Sequence, residues 1–327
     1  MRMPALLLVP RHGRLGLTWV RAIRVLALLV AMLLPGRALA HAGHLHWTEL
    51  GATWTFDPWV VLPLALSGGL YATGVARLWN RAGIGRGVRL WQMGCFALGW
   101  ALLVLALVAP LHWLGERLFV AHMIEHEILM AASAPLIVVG RPVGAILWAL
   151  RSSWRRGVGA LSRVPALAWS WAILTNAPVA TLVHGAALWV WHIPALYQAA
   201  LADAWVHWLQ HMTFFITALL FWRALLQAPE RERAYGAAVL YLFVTSLHTG
   251  FLGILLAIAR QPIYPIQTES APDWGLTPLE DQQLAGLVMW IPAGLVYAGA
   301  ALALAGLWIA QSASDLTTGG RHARAAR

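Results

Sequence analysis

The stretch Ala-His-Met-Ile-Glu-His-Glu-Ile-Leu-Met, residues 121–130, places two imidazoles and two carboxylates inside a run that otherwise has the composition of a membrane span. On a helix His122 and His126, four residues apart, stack on one face. Glu125 then lies about 60° round from His122, and Met130 continues the His126 row by one turn. Ionisable groups at membrane depth are costly and usually face a bundle interior or a watery cavity. Neutral imidazole is also the commonest metal ligand in proteins. His207 and His211 repeat the four-residue spacing, and His184, His192 and His248 sit in or beside other apolar runs.

The elements that must position these residues follow from composition. Sixty per cent of the 327 residues are hydrophobic, 11% are charged, and mean hydropathy is +0.66. These values describe an integral membrane protein. Seven apolar spans are predicted near 58–79, 90–110, 118–139, 169–191, 205–225, 236–258 and 284–310. The expected fold is therefore all-α, with seven transmembrane helices over 58–310 and a tail at 311–327. Residues 1–40 read as a cleavable signal peptide: an Arg-dotted start, an apolar core from Val25 to Leu34, a Pro35-Gly36 break and a small-x-small site at Ala38-Leu39-Ala40. Cleavage there exposes an outer segment, 41–57, with His41, His44 and His46 as a His-rich tract suited to metal capture.

The net charge of +10 comes from Arg alone and points to topology, not to nucleic acid. Alternate loops hold Arg77, Arg81, Arg86 and Arg89, then Arg141, Arg151, Arg155, Arg156 and Arg163, then Arg223, Arg231 and Arg233, and finally Arg321, Arg324 and Arg327. The intervening loops hold only Arg117 and Arg260. By the positive-inside rule the mature N-terminus is outside and the C-terminus inside. The 141–165 segment reads as an amphipathic piece along the inner surface. The acidic, proline-bearing loop 259–283 reads as a cap over the outer mouth or as a solvated loop.

On that topology the membrane histidines gather towards the outer side: His122, His126, His184, His192, His207, His211 and His248. With one Cys, Cys95, and no C-x-x-C pair, a metal site must be built from His, Met and carboxylate. Imidazole with thioether from Met130 and Met289, or from Met123 and Met212, leans towards copper. Two rivals stay open. A b-type haem held by two His on facing helices uses the same residues. His122-Met-Ile-Glu125-His126 also fits the H-x-x-E-H pattern of inverted zinc metallopeptidases. No nucleophile constellation, phosphate-binding loop or nucleotide motif is present, so the chain is expected not to be an enzyme.

Five stretches carry a resemblance: W-T-F-D-P-W (54–59), H-M-I-E-H-E-I-L-M-A-A-S-A-P-L-I-V-V-G-R-P (122–142), L-W-V-W-H-I-P-A-L-Y (188–197), H-W-L-Q-H-M-T-F-F (207–215) and D-Q-Q-L-A-G-L-V-M-W-I-P (281–292). In them the chain resembles the bacterial polytopic CtaG family of cytochrome c oxidase assembly factors over about 54–310. The resemblance implies a seven-helix protein of the bacterial inner membrane that supports oxidase biogenesis by delivering copper, with oxidase subunits as partners. Glu125 and Glu127 depart from it, standing where neutral residues are expected.

Overall fold

The computed structural model describes residues 53–227 and 235–325, with side chains as far as Ser312. The expected signal at 1–40, the ligand candidates His41 and His44, and Arg231 and Arg233 lie outside the described residues. Among the described residues there is no strand.

The long helices are α1 (Pro58–Ala82), α2 (Leu90–Leu107), α4 (Phe119–Val139), α10 (Ala204–Leu226), α11 (Tyr235–Ala257) and α12 (Pro278–Ala325). Each is long and apolar enough to cross a membrane. Shorter helices fall between them: α3 (Pro110–Gly115), α5 (Pro142–Ala149), α6 (Ser152–Leu161), α7 (Pro165–Leu174), α8 (Ala177–Trp191) and α9 (Pro194–Ala202). The span expected at 169–191 is not one rod. It is α7 and α8, bent by 71°, and they make a seventh span only when counted together. Asn176 and Pro178 explain the break, because Pro removes a backbone donor and suits only the first turn of a new helix. The last helix also runs past the expected 284–310, from 278 to 325.

The 141–165 segment divides in two. Half of it packs: α5 lies on α1, where a Cβ on Gly74 would come within 1.8 Å of the Ala145 carbonyl oxygen. The other half is α6, which has no buried residue and keeps Trp154 69% exposed beside Arg155 and Arg156, as an interfacial helix does. Helices α11 and α12 approach closely at a pair of glycines. A Cβ on Gly286 would sit 2.5 Å from the Gly253 carbonyl oxygen, a small-residue contact typical of membrane bundles.

Loop 259–283 is a cap. Tyr264, Gln267, Thr268 and Ala271 are buried. The Tyr264 hydroxyl donates to the His192 carbonyl at 2.6 Å, and the Gln267 amide donates to the Gly115 carbonyl at 2.7 Å. Backbone polar groups of a loop need partners when water is excluded, and these side chains supply them at one end of the bundle.

Candidate metal centre

Beneath that cap, three elements bring imidazoles together. Helix α4 presents His122 and His126, α10 presents His207 and His211, and the short α3 presents His112. His122, His207 and His211 each offer a ring nitrogen, and these nitrogens all lie within 4.8 Å of one another. The Nε2 atoms of His126 and His211 are 3.1 Å apart. Four nitrogens around an ion at about 2.0 Å each stand roughly 3.3 Å from one another, so this pair already has the spacing of two ligands on one tetrahedral ion. The His122 and His207 rings are near-parallel at 5.4 Å, and the His112 ring stacks on His207 at 5.6 Å.

Glu125, fully buried, sits among these rings. Its Oε1 is 2.8 Å from His112 Nδ1 and 3.6 Å from His211 Nε2. Burial by itself pushes the His112 imidazole down, but the Glu125 carboxylate outweighs it and leaves His112 above its ordinary value. His192 closes the C-terminal end of α8. Its Nδ1 donates to the Leu188 carbonyl at 2.7 Å, which leaves Nε2 as the lone-pair nitrogen. Burial holds His192 down to about 4, so it is neutral and able to ligate. The His192 ring lies 6.4 Å from Tyr197 and 6.3 Å from Phe214, the rings that pack on His122 and His126.

The decisive feature is what these atoms lack. Both ring nitrogens of His122, Nδ1 of His126, Nε2 of His192 and His207, and Oε2 of Glu125 are buried without a hydrogen-bond partner among the described residues. Each such group costs about 1–3 kcal/mol. A packing role for these histidines gives no return for that cost, whereas a bound cation would satisfy several at once.

Helix α4 is held in register at its start by Asp281. Its two carboxylate oxygens accept from the Phe119 and Val120 N–H groups at 2.8 and 2.9 Å, and the side chain is fully buried. Asp281→Ala leaves two amides unbonded, one buried and one part-buried, at most about 2–6 kcal/mol together, while Asp281→Asn keeps one acceptor. Thermal unfolding of the detergent-purified protein should show a large fall for Ala and a smaller one for Asn. Equal midpoints in wild type and both variants would dismiss the clasp.

Directly after His126 and Glu127, α4 widens into a π-helical turn over Ile128–Ser133. Such turns are rare and concentrate at functional sites. The wide turn breaks the regular row expected to carry Met130 beneath His126. Met130 packs in the main apolar core, and its carbonyl accepts from Trp222 Nε1 at 2.9 Å. Met289 packs with Phe119, Met123 and Tyr264 in the apolar cluster under the cap. His184 stands apart from the cluster, towards Thr217 and Phe221, and His248 lies against Gly185 on the same helix as His184.

Three contributors were not among the sequence candidates. His112 lies only ten residues before His122 across a short connection, a proximity that could have flagged it. Tyr197 is fully buried with its ring 5.6 Å from His122, and burial raises its hydroxyl well above the usual value. Asp281 is remote in sequence and was marked only as the head of the 281–292 stretch, with nothing to link it to α4.

Residues 69–311 match the cytochrome c oxidase caa3 assembly factor (Caa3_CtaG) family. The chain belongs to that family. The match takes in every histidine of the cluster, from His112 to His211, and both His184 and His248. Comparison with curated proteins and with solved structures returns no significant match. Family membership makes this a membrane-embedded factor in cytochrome c oxidase assembly.

Proposed function

We propose that the cluster of His112, His122, His126, His207 and His211, with His192 at its edge, binds copper on the outer side of the membrane and passes it to a nascent oxidase subunit. Copper is cargo here. The observation that supports the reading is the convergence of partnerless imidazole nitrogens from α4, α8 and α10 in one capped end of the bundle. Imidazole suits copper, and the chain offers no thiolate pair to hold it too tightly for release. The asymmetric Arg distribution supports an outer location for this end, where a copper donor can reach it. Release needs a ligand in contact with water. His112 fits, because its side chain is 15% exposed while Glu125 behind it is fully buried.

The ring packing favours copper over haem. A bis-imidazole haem needs a flat macrocycle between its two ligands. The His122 and His126 rings are 4.2 Å apart and those of His207 and His211 are 4.4 Å apart, so the rings fill one another's surroundings. Protein purified from copper-supplied membranes should carry near-stoichiometric copper and show no sharp Soret or α band. Haem bands, or failure to load copper at all, would end this reading.

A further inference from the structure

Two membrane histidines are left over by the outer cluster, and they lie on two helices, α8 and α11, that pack against each other elsewhere in the bundle. His184 on α8 is fully buried, its ring stacked on Phe221 at 5.4 Å. Its Nδ1 is 3.1 Å from Thr217 Oγ1 on α10. The Thr217 hydroxyl has its own acceptor, the Phe214 carbonyl at 3.2 Å. With its proton committed there, the hydroxyl oxygen can only accept, so His184 carries its proton on Nδ1. Nε2 is then the bare lone-pair nitrogen, and it is buried with no partner among the described residues. A histidine whose distal N–H is tied to a hydrogen-bonded oxygen while the other nitrogen is presented bare has the outer-shell arrangement of a metal ligand.

His248 on α11 supplies the second imidazole. It lies against α8 at Gly185, where a Cβ would sit 3.2 Å from His248 Nε2, so the absence of a side chain lets the ring approach. His248 Nδ1 is buried with no hydrogen-bond partner among the described residues. Phe214, fully buried, stands between this pair and the outer cluster, its ring 4.8 Å from His126 and its carbonyl bonded to Thr217. Along α10, Thr217 is six residues beyond His211, about 9 Å deeper. Along α8, His184 is eight residues before His192, about 12 Å deeper.

We propose that His184 Nε2 and His248 form a second metal site, inward of Phe214, that takes Cu(I). Its choice of metal rests on reading the outer cluster as a copper site. A closed-shell monovalent ion accepts two imidazoles in an apolar surrounding, whereas Cu(II) wants a tetragonal set of N and O ligands that this position does not offer. The single positive charge is also the cheaper one to hold at membrane depth.

The full-length protein in detergent, titrated anaerobically with Cu(I) against a chromogenic competing chelator, tests both sites. Wild type should take up two equivalents. His184→Ala and His248→Ala should each take up one, and His211→Ala should keep the inner one. Thr217→Val, nearly isosteric, keeps the packing but frees the His184 tautomer, and should weaken only the inner equivalent by about 10–100-fold. Stoichiometry unchanged in His184→Ala, His248→Ala and Thr217→Val overturns the inner site. Loss of uptake in those variants with none in His211→Ala keeps the inner site and removes the outer reading. A single wild-type equivalent that only His211→Ala abolishes does the reverse.

Discussion

His211→Ala is expected to lower copper affinity on the order of a hundredfold or more while the protein still inserts and accumulates. His211 is the hub of the outer cluster. Its Nε2 is 3.1 Å from His126 Nε2 and 3.6 Å from Glu125 Oε1, and it shares a 4.8 Å sphere with His122 and His207. Changing a group that merely orients a ligand costs 10–100-fold, so removing a ligand costs at least that, about 2.7 kcal/mol or more. Stability should fall by no more than a few kcal/mol, because truncating the buried ring opens a cavity and leaves His126 Nε2 without the partner it has in His211. Alanine also leaves α10 intact as a good helix former. Oxidase activity in the membranes should therefore fall without loss of this protein, and added copper should restore part of it by mass action. His126→Ala should behave alike. Wild-type copper content and oxidase assembly in both variants would make the cluster a packing feature.

The spans were legible because bilayer thickness fixes their length and lipid fixes their composition. Predicted ends such as 118–139 and 205–225 differ from Phe119–Val139 and Ala204–Leu226 by a residue. The two four-residue pairs were legible for the same kind of reason, since helical period decides which side chains share a face. What depth alone could not supply was azimuth. His184 and His192 occur in one predicted span at the outer side, yet eight residues turn the helix by about 80° beyond two full turns, and the structure sends them to different neighbours. The break at Asn176 was hidden because membrane helices tolerate proline, so Pro178 did not by itself mark a bend. Nothing in Ile128–Ser133 announces a π-turn, and so the Met130 row was drawn on a regular helix. Glu125 was read as a neighbour of His122, but its pairing with His112 depends on how α3 folds back over α4.

Glu125→Gln should weaken Cu(I) binding by up to about a thousandfold, and Cu(II) by more. Glutamine keeps the volume and one acceptor oxygen, so His112 retains a partner for its Nδ1, at 2.8 Å in the wild type. What is lost is the charge. At about 4 Å and an effective dielectric of about 20, one unit of charge on each side is worth roughly 4 kcal/mol, and the attraction doubles for a divalent ion. A purely orienting role would instead spare Gln and penalise Glu125→Ala, which also releases His112. The pH dependence separates the two further. The carboxylate keeps His112 protonated to a higher pH than the free residue, so an incoming ion must displace that proton and wild-type affinity falls as pH drops through the raised value. In Glu125→Gln the downward push of burial is opposed only by the weaker pull of Glu116 and Asp57, and the same fall should move to lower pH. Copper affinities for wild type and both variants, measured across the histidine range in each oxidation state, decide it. Equal losses for Cu(I) and Cu(II), with an unmoved pH profile in Glu125→Gln, would show that the buried carboxylate only holds His112 in place.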